Sequence, residues 1–194
     1  MSAASLKGRR PSARERLLAA ADELFYAEGV HTVGIDRIIE HAGVAKASLY
    51  STFGSKDELV RAYLQGRHDA RRARLLAALE RFDNPRDRLL GVFDALAEMA
   101  ASPTFRGCAF YNASAEDPSD NGPVAEVCNA NRAWTRELFV ELGRDAGARE
   151  PEALAAQLVI LYDGSSVGAR MDRRAGSAGT ARVIATALLD AATA

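Results

Sequence analysis

Histidine and cysteine have the widest range of chemistry among the residue types of this sequence, and both are scarce. The three histidines, His31, His41 and His68, form no pair with the spacing of a metal site or a general acid–base set. Cys108 and Cys128 stand twenty residues apart and form no CxxC motif. Since no nucleophile has a base at a recognisable spacing, the sequence predicts neither an enzyme nor a cofactor or metal site.

A different chemistry is available between residues 45 and 53, where small, hydroxyl and basic side chains share one side of a short predicted helix. Lys46, Ser48 and Thr52 can donate hydrogen bonds to base edges or phosphates, and Ala47 leaves room for close approach. An α-helix fits the major groove of B-DNA, which is about 12 Å wide. These residues therefore indicate a helix that reads DNA.

The elements around this helix have the outline of a helix-turn-helix. A first helix is predicted to begin with Thr32 as its N-cap and to end at the turn Ala42-Gly43-Val44, and a second covers 45–53. Leu49 and Phe53, four residues apart, are expected to face inward. An ordinary corner between two helices has the same outline, so the pattern alone leaves both interpretations open.

Helical periodicity and capping signals run through the rest of the chain, and no alternating strand pattern occurs. The segments 12–15 and 55–58 read as capping boxes, and Asn84 precedes a proline at the first position of a helix. Polar segments at 116–122 and 174–179 are predicted to be loops. The sequence therefore predicts an all-α fold of about nine helices.

Composition and charge place limits on the class of protein. The 194 residues are 48% hydrophobic and 26% charged, as in ordinary globular domains. We find no signal peptide and no apolar run that could span a bilayer, so we expect a cytoplasmic protein with no membrane partner. Residues 1–74 carry 13 basic and 9 acidic side chains, net +4, whereas the remainder carries 12 and 17, net −5. The excess of basic side chains in residues 1–74 includes a basic arm over 1–11. Two interpretations stay open: this end of the chain faces nucleic acid, or the arm is a solvated tail.

The segment from Thr32 to Leu59, TVGIDRIIEHAGVAKASLYSTFGSKDEL, carries a family resemblance. It resembles the DNA-binding head of the TetR family, whose pattern is T-x-x-x-x-I-A-x-x-A-G-V-S-x-G-x-L-Y-x-Y-F-x-S-K-x-x-L. The matching positions are Thr32, Ala42, Gly43, Val44, Leu49, Tyr50, Phe53, Ser55, Lys56 and Leu59. The resemblance implies a three-helix DNA-binding domain over 1–54 and a helical ligand-binding and dimerisation domain over 55–194.

The resemblance also implies which residues contact DNA. Positions that hold phosphates in the family correspond to Thr32, Tyr50 and Lys56, and base-reading positions correspond to Lys46, Ala47 and Ser48. With the basic arm and the remaining exposed positions of the reading helix, the full set is Arg9, Arg10, Arg14, Thr32, Lys46, Ala47, Ser48, Tyr50, Ser51, Thr52 and Lys56. Ala45 departs from the family pattern, because a serine or threonine cap is usual there. Departures on the reading surface leave the operator sequence open.

The middle helices combine aromatic, polar and polarisable side chains, as small-ligand pockets do. The candidate ligand contacts are Phe93, Met99, Cys108, Phe110, Tyr111, Asn112, Trp134, Tyr162 and Asp163. Any one of these side chains could equally belong to the core. Family members bind an inducer among these helices, so the resemblance implies a small-molecule effector as a partner.

The last two predicted helices carry a small-residue surface and an apolar stripe. In the TetR family, the corresponding helices of two subunits form a four-helix dimer interface. The candidate dimer residues are Leu158, Gly164, Gly168, Ile184 and Leu188. A two-fold dimer would place two reading heads on successive turns of double-stranded DNA, so the operator is expected to be a near-palindrome.

Together these features predict a ligand-responsive repressor that binds its operator as a homodimer. Two alternatives stay open. Cys108 and Cys128 could make the protein a thiol redox-sensing regulator. A helical enzyme with a DNA-binding-like head is the other alternative, although the sequence offers it no catalytic set.

Overall fold

Nine α-helices and no strand occur in the part of the chain that the computed structural model describes, residues 10–117, 119, 121–172 and 176–194. The helices are α1 (Ala13–Glu28), α2 (Ile35–Ala42), α3 (Lys46–Phe53), α4 (Lys56–Leu79), α5 (Pro85–Ala100), α6 (Ala109–Glu116), α7 (Pro123–Asp145), α8 (Pro151–Asp172) and α9 (Gly176–Thr193). The predicted all-α fold with an N-terminal helix-turn-helix is confirmed. None of the described helices is long and apolar enough to cross a bilayer.

Short-range capping hydrogen bonds start several of these helices where the sequence predicted them. The Ser12 hydroxyl accepts from the backbone N–H of Glu15 at 3.2 Å, and the Glu15 carboxylate accepts from the N–H of Ser12 at 2.6 Å. Ser55 caps α4 by accepting from the N–H of Glu58, and Asn84 caps α5 in the same way. The predicted capping box at 55–58 is incomplete, because the Glu58 carboxylate accepts from Arg61 and not from the N–H of Ser55. Each cap satisfies a backbone donor that the first turn leaves free.

The start of α2 differs from the prediction. Its N-cap is Gly34, without a side-chain cap, and the predicted cap Thr32 lies exposed in the preceding turn. Val30 and Val33 of this turn are buried, Val33 completely. Burial of both valines holds the chain in a turn here, so the N-cap of α2 lies two residues later than the predicted Thr32.

The start of α9 also differs, because α9 begins at Gly176, within the segment 174–179 that was predicted to be a loop. Residues 173–175 lie outside the described part of the chain. Ala178 is fully buried in the body core, and Ser177 lies close to Gly168 of α8. Packing against α8 therefore favours a helix where the polar composition favoured a loop.

Two hydrophobic clusters organise the chain, and α4 belongs to both. The head cluster joins α1, α2 and α3 to the first half of α4, to α6 and to the first turns of α7. The body cluster joins the second half of α4 to α5, α7, α8 and α9 around the rings of Phe93, Phe139 and Tyr162, which pack at tilted and edge-on angles. We call α1–α3 the head and α5–α9 the body. A domain boundary at 54/55 stays a prediction.

Candidate nucleic-acid interface and ligand cavity

Helix α3 separates a buried side from an exposed side. Leu49 is its fully buried residue, and Phe53 is half-buried beside it. The solvent-exposed side carries Lys46, Ala47, Tyr50, Ser51 and Thr52, with Ser48 half-buried at its edge. The structure therefore brings the predicted base-reading residues together on one face, which can enter a major groove.

The turn between α2 and α3 is held by an arginine that the sequence analysis did not identify. Gly43 has a left-handed conformation (φ 61°), which favours glycine. The Arg16 guanidinium of α1 donates to the carbonyl oxygens of Ala42 at 3.1 Å and of Gly43 at 2.7 Å. These bonds satisfy carbonyl groups at the end of α2 and fix the angle at which α3 leaves the turn.

Three polar side chains of the reading face, Lys46, Ser51 and Thr52, are already hydrogen bonded within the protein. The Lys46 ammonium donates to the Asp36 carboxylate at 2.8 Å, and this hydrogen bond raises the pKa of Lys46. The hydroxyls of Ser51 and Thr52 donate to the Ser48 carbonyl at 3.2 and 2.6 Å. Contact with DNA would therefore exchange internal hydrogen bonds for bonds to bases or phosphates. Asp36 is a negative charge on this surface that the sequence analysis missed.

Replacing Asp36 by asparagine should strengthen binding to any duplex DNA, because it removes a negative charge that faces phosphates and releases Lys46. We expect about a 2-fold to 10-fold gain at low salt, and a salt slope steeper by about one unit. Fluorescence anisotropy over a salt series measures both quantities. Glu137→Gln, an exposed carboxylate on α7, is the matched control. A loss of affinity in Asp36→Asn would show that the carboxylate positions Lys46 for DNA instead of competing for it.

The remaining predicted DNA contacts lie around this face. Arg10 and Arg14 are exposed, with the Arg14 guanidinium over the Phe53 ring at 5.6 Å from its centroid. Arg9 lies outside the described residues. Lys56 is half-buried at the N-terminus of α4, and burial lowers its pKa. The N-terminus of α4 carries a partial positive charge, and together with the Lys56 ammonium it can bind a phosphate group.

A cavity of about 750 Å³ lies between the head and the body. Its wall takes residues from α1, α4, α5, the segment 102–110 and α8. Four predicted ligand contacts line it: Met99, Cys108, Phe110 and Tyr162. The volume suits a small organic molecule.

The other five predicted ligand contacts lie elsewhere: Phe93 packs in the interior, and Trp134 is half-buried against the body core. Phe93 is completely buried in the body core, with its ring centroid 5.9 Å from that of Phe139. Trp134 packs edge-on against His68, and the Arg71 guanidinium lies 5.5 Å from its ring centroid. These rings support the cavity wall from behind.

Three further predicted contacts face solvent or hold local structure. Tyr111 is 59% exposed. The Asn112 amide donates to the Arg106 carbonyl at 3.1 Å, which stabilises the turn before α6. Asp163 forms an ion pair with Arg132 that joins α8 to α7. None of the three lines the cavity.

Arginines on one side of α4 line the cavity, and the sequence analysis did not select them. Arg67, Arg71 and Arg74 follow one another at spacings of four and three, which places them on one side of a helix. Arg67 forms a two-bond ion pair with Asp22 of α1, at 2.6 and 2.9 Å, and its guanidinium lies 3.7 Å from the ring centroid of Tyr26. The spacing was a usable signal, but an arginine row on a helix is ordinarily read as a solvated face.

Two further contacts join the cavity wall to the head. The Tyr26 hydroxyl of α1 donates to the Gly107 carbonyl and accepts from the Arg106 N–H, both at 2.9 Å. At the other end of α6, the Glu116 carboxylate accepts from the backbone N–H of His31 at 2.8 Å. The segment 106–116 therefore contacts the last turn of α1 and the turn between α1 and α2, and its residues 106–110 line the cavity.

The cysteines are half-buried free thiols. Burial raises the pKa of Cys128 to about 11, and its thiol lies 3.5 Å from the Phe110 carbonyl. At neutral pH this group stays a thiol, whereas redox exchange needs the thiolate. The geometry therefore does not favour a thiol switch that uses Cys128. No cluster that could hold a metal ion occurs within the described ranges.

Helices α8 and α9 carry an exposed apolar surface. Of the predicted dimer residues, Leu158 is fully buried in the body core, and a Cβ at Gly168 would lie 2.7 Å from the Ser177 hydroxyl of α9. Gly164 and Ile184 are exposed, and Leu188 is half-buried. The most exposed apolar side chains here were not selected from the sequence: they are Ile160, Met171 and Val183, each more than 70% exposed.

The braced reading helix, the left-handed turn and the separate helical body define a helix-turn-helix DNA-binding protein. The profile of the bacterial regulatory proteins of the tetR family matches residues 17–63. The chain is 33% identical to the transcriptional activator FasR of Mycolicibacterium smegmatis over 156 residues, covering 78% of this chain and 69% of that protein. The chain belongs to the TetR family and is a transcriptional regulator.

Two more similar proteins agree with this assignment. The repressor NemR of Escherichia coli is 32% identical over 146 residues, which is 74% of this chain and 65% of that protein. The crystal structure of a TetR-family transcriptional regulator from Streptomyces coelicolor superimposes with a TM-score of 0.89 at 35% identity, covering 94% of this chain and 96% of that one. Because both an activator and a repressor occur among the relatives, family membership leaves the direction of regulation open.

Proposed function

We propose that this protein is a ligand-responsive repressor that binds a near-palindromic operator as a homodimer. The observation that carries the proposal is the position of the cavity, whose wall includes Asp22, Tyr26 and Ala27 of the head helix α1. A molecule in this cavity contacts the head directly. A small shift of α1 caused by the ligand can alter the angle between head and body without any rearrangement of the body core.

The proposed dimer uses the exposed apolar surface of α8 and α9. Ile160, Gly164 and Met171 share one side of α8, and Val183 and Ile184 are exposed on α9. Large exposed aliphatic side chains that lie close together are typical of protein–protein contacts. In a dimer with a two-fold axis, both heads would lie on the same side of the dimer and run in opposite directions along DNA, as a near-palindromic operator requires.

The proposed mechanism rests on two arrangements of head and body. In the DNA-binding arrangement, the Arg67–Asp22 ion pair and the Tyr26 hydrogen bonds hold α1 against α4 and the segment 106–107. A ligand that fits better when α1 shifts favours a spacing of the two heads that no longer matches successive grooves. A difference of about 1–3 kcal/mol in binding free energy between the two states would suffice for regulation.

Selection of bound DNA from a random pool, with the mass of the protein in solution measured alongside, tests the proposal. We expect an enriched near-palindrome and the mass of a dimer. Ile160→Asp should shift the protein towards monomer and weaken operator binding, whereas Glu152→Gln, an exposed polar control on α8, should change neither. A monomer that selects an asymmetric site would contradict the dimer. An operator whose binding no cavity ligand alters would contradict the ligand response.

Lys56→Ala should weaken binding to operator and unrelated duplexes by similar factors, because its proposed partner is a phosphate and carries no sequence information. We expect the slope of log K against log salt to become shallower by about 0.9. Anisotropy titrations on both duplexes at four salt concentrations measure this. Arg88→Ala, an exposed charge on α5, is the control. An effect confined to one base position of the operator would assign Lys56 to base reading instead.

A further inference from the structure

Three arginines of the cavity wall, Arg71, Arg74 and Arg106, have no ion pair among the described residues, and Arg71 differs from the other two in its surroundings. Arg74 is exposed to solvent, and Arg106 donates to the backbone carbonyls of its own segment.

The Arg71 guanidinium donates to the Asn131 amide oxygen at 2.6 Å and to the Thr135 hydroxyl at 3.2 Å, and both acceptors are neutral and buried. Its other neighbours are Trp134 and Tyr162, with ring centroids at 5.5 and 5.3 Å, and Tyr162 is also a hydrogen-bond partner. Asp163 is close enough to act on the Arg71 charge, but its carboxylate is paired with Arg132. Among the described residues, no carboxylate lies within ion-pair distance of Arg71.

The acidic residues of the same wall are already paired. Asp22 binds Arg67, Glu98 binds Arg81 at 3.0 Å, and Glu23 contacts His41 at 3.0 Å. Among the wall arginines without an ion pair, Arg71 is thus the one whose charge is held against aromatic rings and buried neutral acceptors, with no carboxylate of the described residues at ion-pair distance. A buried charge without a partner costs free energy, and an anion supplied from outside would recover part of that cost.

The rest of the wall near Arg71 is apolar, with Leu75, Ala78, Leu96, Met99 and Phe110 among its residues. A guanidinium presents two parallel N–H donors, which match the two oxygens of a carboxylate. One buried positive charge is balanced by one negative charge. The size of the cavity, about 750 Å³, admits a molecule with an aliphatic or aromatic body.

We propose that the effector of this protein is an amphipathic organic acid, whose carboxylate binds Arg71 and whose apolar body fills the cavity. The inference rests on the proposed ligand response and names its chemical class. It also gives the response a direct route, because Arg71 lies on α4, the helix that begins at Lys56 beside the reading helix. Carboxylate binding would rearrange the α4 face that also carries Arg67, and Arg67 binds Asp22 of the head.

Competitive displacement of the uncharged fluorescent probe N-phenyl-1-naphthylamine from the full-length protein tests the inference. Two matched pairs serve as competitors at pH 7.5: decanoate with decan-1-ol, and 2-naphthoate with 2-naphthol. In at least one pair, we expect the acid to compete at a concentration about 10-fold to 100-fold lower than its alcohol. Arg71→Gln should reduce this preference to about 2-fold or less, and Arg71→Lys, which keeps the charge, should retain part of it.

Arg72→Gln is the matched control, because Arg72 is the adjacent arginine and also packs on Trp134, at 5.3 Å, but does not line the cavity. It should keep the preference for acids. If the probe binds and neither acid competes better than its alcohol, the anionic class is wrong while a ligand cavity stands. If the probe does not bind the folded protein, the proposed ligand response itself fails. A preference that persists in a folded Arg71→Gln variant would overturn the role of Arg71.

Discussion

Leu49→Ala is expected to abolish sequence-specific DNA binding while leaving the helical body folded. Leu49 is the fully buried residue of α3, and α3 has only eight residues. Removing most of its side chain leaves a cavity and costs about 3–5 kcal/mol, as for other leucines in well-packed cores. So short a helix has little stability of its own, so this loss should release α3 from α1 and α4.

Fluorescence anisotropy measures the loss of operator binding, and thermal unfolding followed by circular dichroism shows whether the helical body stays folded. Affinity for the operator should fall by at least about 100-fold, because a loosened helix cannot present its side chains to bases. Leu76→Ala on α4 makes the same chemical change at a side chain that is 39% exposed, and should leave operator affinity within about 2-fold. A Leu49→Ala protein that binds as tightly as the native one would show that contacts other than the burial of Leu49 hold α3 in place.

Features that depend on neighbouring residues could be predicted from the sequence. The caps at Ser12, Ser55 and Asn84 each require only a side chain and an N–H three residues further on, and all three form. The turn at Gly43 and the exposed side of α3 follow from local conformation and helical periodicity. The helices of the head and the turn between α2 and α3 could therefore be predicted from the sequence pattern.

Features that depend on packing between distant segments could not be predicted in this way. Thr32 looked like a cap, but burial of Val30 and Val33 delays the helix. The hydrogen bonds from Arg16 to the turn join residues 26 and 27 positions apart. No local pattern distinguishes such an arginine from a solvated one, because the partners are backbone carbonyls.

The cavity illustrates the same limit. Aromatic composition identified the region of the ligand cavity but could not separate its wall from the core behind it. Phe110 and Phe93 have the same chemistry, yet one lines the cavity and the other is enclosed by Phe139 and Tyr162. Arg71, the proposed polar anchor, was also missed, because it becomes partly buried only when α7 and α8 pack against α4. A charged residue is expected on the surface unless its partners are known.

Phe93→Ala should therefore act on stability and not on ligand contact. Phe93 is 0% exposed and packs against two aromatic rings, so its truncation should cost about 3–5 kcal/mol. For a chain of this size, that loss corresponds to a fall in the unfolding midpoint of roughly 6–20 °C. Differential scanning calorimetry measures the midpoint. At a temperature where the variant is fully folded, binding of N-phenyl-1-naphthylamine should stay within about 3-fold of the native value.

Phe105→Ala provides the opposite case, because Phe105 is half-buried and lies on the cavity wall. Its loss should cost less than about 2 kcal/mol of stability, since part of the ring is already hydrated, but should weaken probe binding by removing apolar contact area. The pair of variants separates support of the fold from contact with the ligand. If Phe93→Ala weakened probe binding more than Phe105→Ala while both stayed folded, the cavity would extend into the body core, and the carboxylate at Arg71 would anchor a longer molecule than the present wall encloses.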